Sequence, residues 1–290
     1  MANRRANTQM FALSSPPPDQ VQVGSGRYRL VRVFKHDFFA ATCLYEPIAE
    51  TGQAQATGGG GAGPQPRPLS PIVVKFGRVQ AFCGLPMAWY GRMMRRHEEG
   101  IYRTIAGVPG VPPWIACIDD ATYAIGYIDA LPLDHFDSPP PGLFDRLKLI
   151  IDAIHARGVA YCDANKRSNI LIDPAGNAYL VDYQIAFRRR DELPWPLRSL
   201  VAAAVRYVQR SDMYHLYKHK RRLAPDELRP EERELSRRRG LLHTIHRKLT
   251  DPWRALRRKF LRKQHASGQL VSPTAAMEDH HQPEKATWRG

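Results

Sequence analysis

Five polar residues stand out by type, order and setting: Lys75, Glu98, Asp163, Asn169 and Asp182. Lys75 lies inside the apolar run IVVKF, where a charge is costly to bury unless it is paired or faces a cleft. Glu98 follows 23 residues later in a stretch of helical composition, with Ile101 and Tyr102 at +3 and +4. Asp163 comes directly after GVAY, behind a helix stop. Asn169 opens NILID and Asp182 closes AYLVD. The chemistry served by such a set is phosphoryl transfer. A lysine fixes nucleotide phosphates and a glutamate holds the lysine; one aspartate positions the attacking hydroxyl, while an asparagine and a second aspartate hold Mg²⁺.

These residues need elements to place them. RYRLVRVF from Arg27 and ATCLYE after it read as paired strands, PIVVKF as a short buried strand and ATYAIGYI as another. Pro86 to Ile105 reads as a helix stopped by Gly107, Pro109 and Pro112. After Pro139–Pro141, Leu143, Leu147, Ile150, Ile151 and Ile154 mark a second helix, ending at Gly158. NILID and AYLVD form a hairpin through PAGN. Beyond Pro196 the chain is helical and basic. Strands first and helices later make an α+β pattern with two lobes. The expected organisation is a flexible leader (1–24), a β-rich N-lobe (25–130) with a Gly/Pro-rich disordered insert (51–70), a helical C-lobe (131–263) and a tail (264–290).

IHARGVAYCDANKRSNILID resembles the catalytic loop of the protein-kinase-like superfamily, and YLVDYQIAF resembles its metal-binding segment. VVKF is similar to its lysine strand, RRHEEGIYRTIAG to its glutamate helix, and YIDALPL stands where its hinge runs. The resemblance covers residues 27–222. It implies a bilobal protein-kinase-like fold, with ATP and Mg²⁺ as cofactors. Lys75, Glu98 and the hinge residue Asp129 would serve the nucleotide, Asp163 catalysis, and Asn169 and Asp182 the metal. The short C-terminal lobe, without an Ala-Pro-Glu element, is most similar to RIO-type atypical kinases and bacterial lipopolysaccharide-core kinases. From Asp182 to the next helical aspartate, Asp212, there are only 30 residues.

The chain also departs from that pattern. No GxGxxG loop is present; VFKHDFFAAT stands in its place, leaving Lys35 or His36 as substitute phosphate contacts. Tyr161-Cys162-Asp163 replaces His-Arg-Asp, and Asp182-Tyr183-Gln184 replaces Asp-Phe-Gly. Ser168 occupies the +5 position where the motif has asparagine, and Asn169 is at +6. One residue inserted before Lys166 repairs the spacing and aligns Lys166 with the lysine that many kinases of hydroxyl groups carry in this loop.

Composition narrows the partners. The 290 residues carry a formal net charge of +15. Residues 186–265 hold 23 Lys or Arg against 9 Asp or Glu, so nearly all of the surplus is there. That concentration favours acidic partners, such as an anionic membrane surface or a phosphorylated glycolipid; nucleic acid fits less well because no aromatic residues are interleaved with the cluster Arg237, Arg238 and Arg239. Leu241, Leu242, Ile245 and Leu249, then Trp253, Leu256, Phe260 and Leu261, recur at helical spacing. Four scattered cysteines without a CxxC pair fit a reducing compartment, and no export signal is readable, so the expected location is cytoplasmic, extending to the inner face of the membrane. His215 and His219 sit at i, i+4 but have no third ligand at a recognisable spacing.

Three readings stand. In the first, the chain is an ATP-dependent kinase whose acceptor is a hydroxyl on a glycolipid or sugar, a small molecule, or a protein serine or threonine. The second is a pseudokinase binding through its basic surface, favoured by the missing glycine loop. The third is a basic RNA- or ribosome-associated protein. Nucleotide binding and turnover separate the first two, and a steep salt dependence would mark the third.

Overall fold

The computed structural model describes residues 8–48, 69–237, 272–275 and 277–278. The fold is mixed α and β, with a curled antiparallel sheet and, among the described residues, four α-helices. The chain divides into two compact units, one within Met1–Arg95, Ile115–Tyr127 and Gly268–Gln282, the other within Arg96–Trp114, Ile128–Ser267 and Pro283–Gly290. It passes from the first unit to the second between Tyr127 and Ile128, inside YIDALPL.

Six strands make the main sheet: β1 (Gln20–Val23), β2 (Gly26–His36), β3 (Ala40–Pro47), β4 (Ile72–Gly77), β5 (Trp114–Cys117) and β6 (Thr122–Gly126), in the order β1-β2-β3-β4-β6-β5. Side chains alternate across a strand, so Ile72, Val74 and Phe76 share the face of β4 that packs on Val21, Val33, Cys43 and Tyr45. Val73 and Lys75 take the opposite face. Lys75 stands in register with Thr42 on β3 and Tyr123 on β6 and is buried.

The leader differs from expectation. From Thr8 it is part of the first unit: Phe11 and Ala12 are buried, Ala12 N–H donates to Asp37 O at 2.7 Å, and β1 pairs antiparallel with β2. The anchor is Arg78, which is fully buried. Its guanidinium donates to the carbonyls of Gln9 (2.7 Å), Phe11 (3.0 Å) and Phe38 (2.9 Å) and stacks 3.9 Å over the Phe38 ring. Burying a cation demands such partners. The alternation in QVQV was the available signal, masked by Pro16–Pro18 just before it.

Part of the expected tail also packs on the sheet. Val33 bridges Glu278 in parallel, Val33 N–H donates to Met277 O, and Thr274 is buried against His36. Residues 51–68 of the insert, the amphipathic runs at 241–261 and Trp288 lie outside the described residues.

The second unit is built on α2 (Leu143–Ala156), α3 (Trp195–Leu223) and α4 (Pro230–Leu235), with the later part of α1 (Ala88–Thr104). Leu143, Leu147, Ile150, Ile151 and Ile154 form the buried stripe of α2. The helix stops where Gly158 takes φ 71°, a left-handed position that glycine occupies without strain. Lys220, buried on α3, bridges Asp145 of α2 at 3.0 Å and Glu232 of α4 at 2.9 Å, fixing the three helices together. The short strands β7 (Leu131–Pro132), β9 (Ile170–Ile172) and β10 (Ala178–Leu180) form one small sheet, and β8 (Val159–Ala160) pairs with β11 (Phe187–Arg188).

Candidate functional site

The second unit gathers Asp163, Lys166 and Asn169 on one loop. Asp163 Oδ2 receives the Lys166 ammonium at 2.9 Å and the Asn169 amide, Nδ2, at 2.8 Å. The loop folds by short turns: Lys166 N–H donates to Asp163 O at 3.0 Å, Asn169 N–H to Lys166 O at 3.3 Å, and Val181 N–H to Asn169 O at 3.0 Å. The last bond ties the loop to the strand end that carries Asp182. Burial raises the Asp163 carboxyl above the usual range; Lys166 opposes the rise and the Asp182 charge adds to it. Asp182 is therefore within electrostatic reach of Asp163.

Backbone strain marks both carboxylates' neighbourhoods. Cys162 (φ 69°) and Asp182 (φ 65°) are two of three non-glycine residues in the left-handed region among the described residues. Such conformations persist only where surroundings enforce them, and they cluster at functional sites. What enforces the first is Asp212 on α3, fully buried: its carboxylate accepts from the backbone N–H of Tyr161 and of Cys162 at 2.8 Å each, and from His155 Nε2 at 3.0 Å. The second is flanked by two tyrosine clamps. Tyr161 Oη donates to Val181 O, and Tyr183 Oη to Leu180 O at 3.1 Å.

Three rings then run in series. Tyr161 and Tyr183 pack with centroids 5.2 Å apart, and Tyr183 and Tyr102 of α1 are again 5.2 Å apart. Such edge-to-face contacts in a buried setting contribute about 1 kcal/mol each beyond area. Tyr102 lies one helical turn beyond Glu98, which is 2% exposed. His97, beside that glutamate, also reaches Ala186 O at 2.9 Å. The α1 turn carrying Glu98 is thus docked on the segment that follows Asp182.

Two side chains of α3 brace the loop. Lys218 Nζ donates to Asn165 Oδ1 at 2.9 Å, and His219 Nε2 bonds Ala164 O at 3.1 Å. Burial, with the nearby charges of Arg167 and Lys218, lowers His219 to about 4. His219 thus braces the loop as a neutral donor. Among the described residues no group of three or more His, Cys, Asp or Glu is placed to hold a metal ion.

Lys75 belongs to the first unit, and Asp129 is exposed just after the crossing into the second. The substitute phosphate contacts are corrected in one case. His36 is fully buried, accepting from Leu13 N–H at 3.2 Å through Nε2 and meeting Thr274 Oγ1 at 3.0 Å through Nδ1, so it is a core residue. Lys35 pairs with Asp37 at 2.8 Å. Asp37 also caps the β2–β3 turn by accepting from Phe39 and Ala40 N–H, so a side chain shapes this glycine-free turn. The sequence reading did not assign Asp212, Tyr102, Tyr161 or Tyr183 to the site. An aspartate inside the helical run SDMYHLY was the one signal that pointed to Asp212.

The chain matches no known protein-family model and no curated protein sequence.

Proposed function

We propose that the protein is an ATP-dependent kinase of the bilobal protein-kinase-like kind, transferring the γ-phosphoryl group of ATP to a hydroxyl acceptor. The observation that carries this reading is the Asp163 carboxylate, buried, raised in pKa and shared by Lys166 and Asn169 on a strained loop pinned by Asp212. In this reading Asp163 accepts the acceptor's proton as the new O–P bond forms and the bond to the departing ADP breaks. Lys166 offers its ammonium to the transferring group. Lys75, Glu98 and Asp129 serve the nucleotide, an assignment that rests on the resemblance.

The residues present fit Mg²⁺. Asn169 spends its amide nitrogen on Asp163, so its Oδ1 and the Asp182 carboxylate are the hard donors that would hold the ion. Mg²⁺ is commonly held by one or two carboxylates and completed by substrate phosphates. When bound, it would neutralise charge on those phosphates.

The test is ADP release from Mg·ATP across a panel of sugar, lipid and peptide hydroxyls, comparing the native chain with Asp163→Asn. Loss of a general base lowers turnover roughly 100-fold or more. Equal rates in the two proteins would remove the assignment, and nucleotide binding without turnover would favour the pseudokinase alternative.

A further inference from the structure

No side chain in the N-terminal third of α3 is buried, and only Val201 and Ala202 there are half-buried. The first buried side chain of this helix is Val205, and the ten residues before it, 195–204, include none. Trp195 is 73% exposed, Leu200 67% and Leu197 51%. Leu197, Leu200 and Ala204 lie at i, i+3 and i+7, on one face of the helix. Two more exposed apolar residues, Ile185 and Phe187, precede them in the chain. Large apolar side chains exposed on one face of a helix mark a surface that something covers.

Charge decides what the cover is. Arg190, Arg198, Arg206 and Arg210 are exposed on or next to these turns. Asp191 offsets Arg189 at 2.9 Å in a solvent-screened pair. A second copy of the chain would bring arginines against arginines. The chain's own amphipathic residues 241–261 carry Arg247, Lys248, Arg254, Arg257, Arg258 and Lys259, again of like sign. A single tryptophan beside protruding leucines does not make the run of aromatic platforms on which successive nucleic-acid bases stack. An anionic lipid surface meets both demands: acyl chains take Leu197 and Leu200, tryptophan favours the interface, and arginines reach headgroup phosphates while their stems lie along apolar surface. No described helix is long and apolar enough to cross a membrane, so the contact is interfacial.

We infer that the first three turns of α3 are a membrane-docking surface for anionic bilayers, seated by Leu197 and Leu200 and held by the surrounding arginines. The inference stands independently of the kinase reading.

The test is co-sedimentation of the full chain with vesicles of phosphatidylcholine alone or with 30% phosphatidylglycerol, as a function of salt. Binding is expected only to the anionic vesicles, weakening with salt. Leu197→Ser/Leu200→Ser, which leaves the charge unchanged, should weaken partitioning at least tenfold, by loss of apolar burial. Arg190→Ala/Arg198→Ala/Arg206→Ala should weaken it on the order of 100-fold. Both variants should keep the native melting temperature, since every altered side chain is exposed. Absence of binding by the native chain would overturn the proposal, as would serine variants that bind like it. Concentration-dependent dimerisation abolished by those variants, without vesicle binding, would overturn it in favour of a second copy.

Discussion

Asp212 holds the backbone N–H of Cys162 at 2.8 Å across fifty residues of chain, and Cys162 immediately precedes the candidate base Asp163. The bond fixes a left-handed residue that would otherwise relax, and with it the direction in which the next side chain leaves the loop. Asp212→Ala orphans two buried amides and the His155 ring, each worth about 1–3 kcal/mol. The expected loss is about 3 kcal/mol or more in urea unfolding. A loss below about 0.5 kcal/mol, the range of ordinary surface substitutions, would show that the loop does not depend on this carboxylate.

Asp163 is expected to cost stability. Its folded pKa is raised by burial, so the native state binds a proton more readily than the unfolded chain. The charged form is thus unfavourable above the raised value, and the cost is relieved as pH falls through it towards the unfolded value. Asp163→Asn should therefore melt at or above the native temperature at neutral pH while losing turnover. A clear drop in melting temperature would mean that the ion pair with Lys166 outweighs burial.

Lys166 opposes that rise. Removing its ammonium by Lys166→Ala should move the Asp163 titration further up. Carbon-detected NMR of the carboxyl reads this directly and needs no substrate. An unchanged titration would show that the 2.9 Å pair is not maintained in solution.

His219 gives the opposite pH signature. It is held neutral, with its pKa lowered to about 4 from an ordinary 6.5. The unfolded chain takes up this proton first as pH falls, so stability drops between those values by about 3 kcal/mol and no further below them. His219→Gln keeps a donor for Ala164 O and should flatten that part of the acid profile. An identical profile would place the acid sensitivity elsewhere.

Much of the arrangement was legible because it is local. The 3.6 spacing of Leu143 to Ile154 and the apolar run around Lys75 set their elements whatever surrounds them. Asn169 and Asp163 are close in sequence, so a loop that folds on itself brings them together. Long-range dependences were not legible. His36 looks like an exposed turn residue until Leu13 and Thr274 arrive from both ends of the chain. Arg78 looks like a surface cation following a strand, and only the carbonyls of Gln9, Phe11 and Phe38 make it a core residue. Asp212 is likewise one more charge on a basic helix until the amides of Tyr161 and Cys162 point at it.

The central claim is a Mg·nucleotide site at Asp182. Thermal unfolding with ATP, with and without Mg²⁺, tests it most directly in the native chain and in Asp182→Ala. Ligand at about 100 times its dissociation constant should add roughly 2.7 kcal/mol to the native chain. The expected result is a Mg²⁺-dependent rise in melting temperature that Asp182→Ala abolishes. No rise with any nucleotide, or an equal rise in the variant, would contradict it.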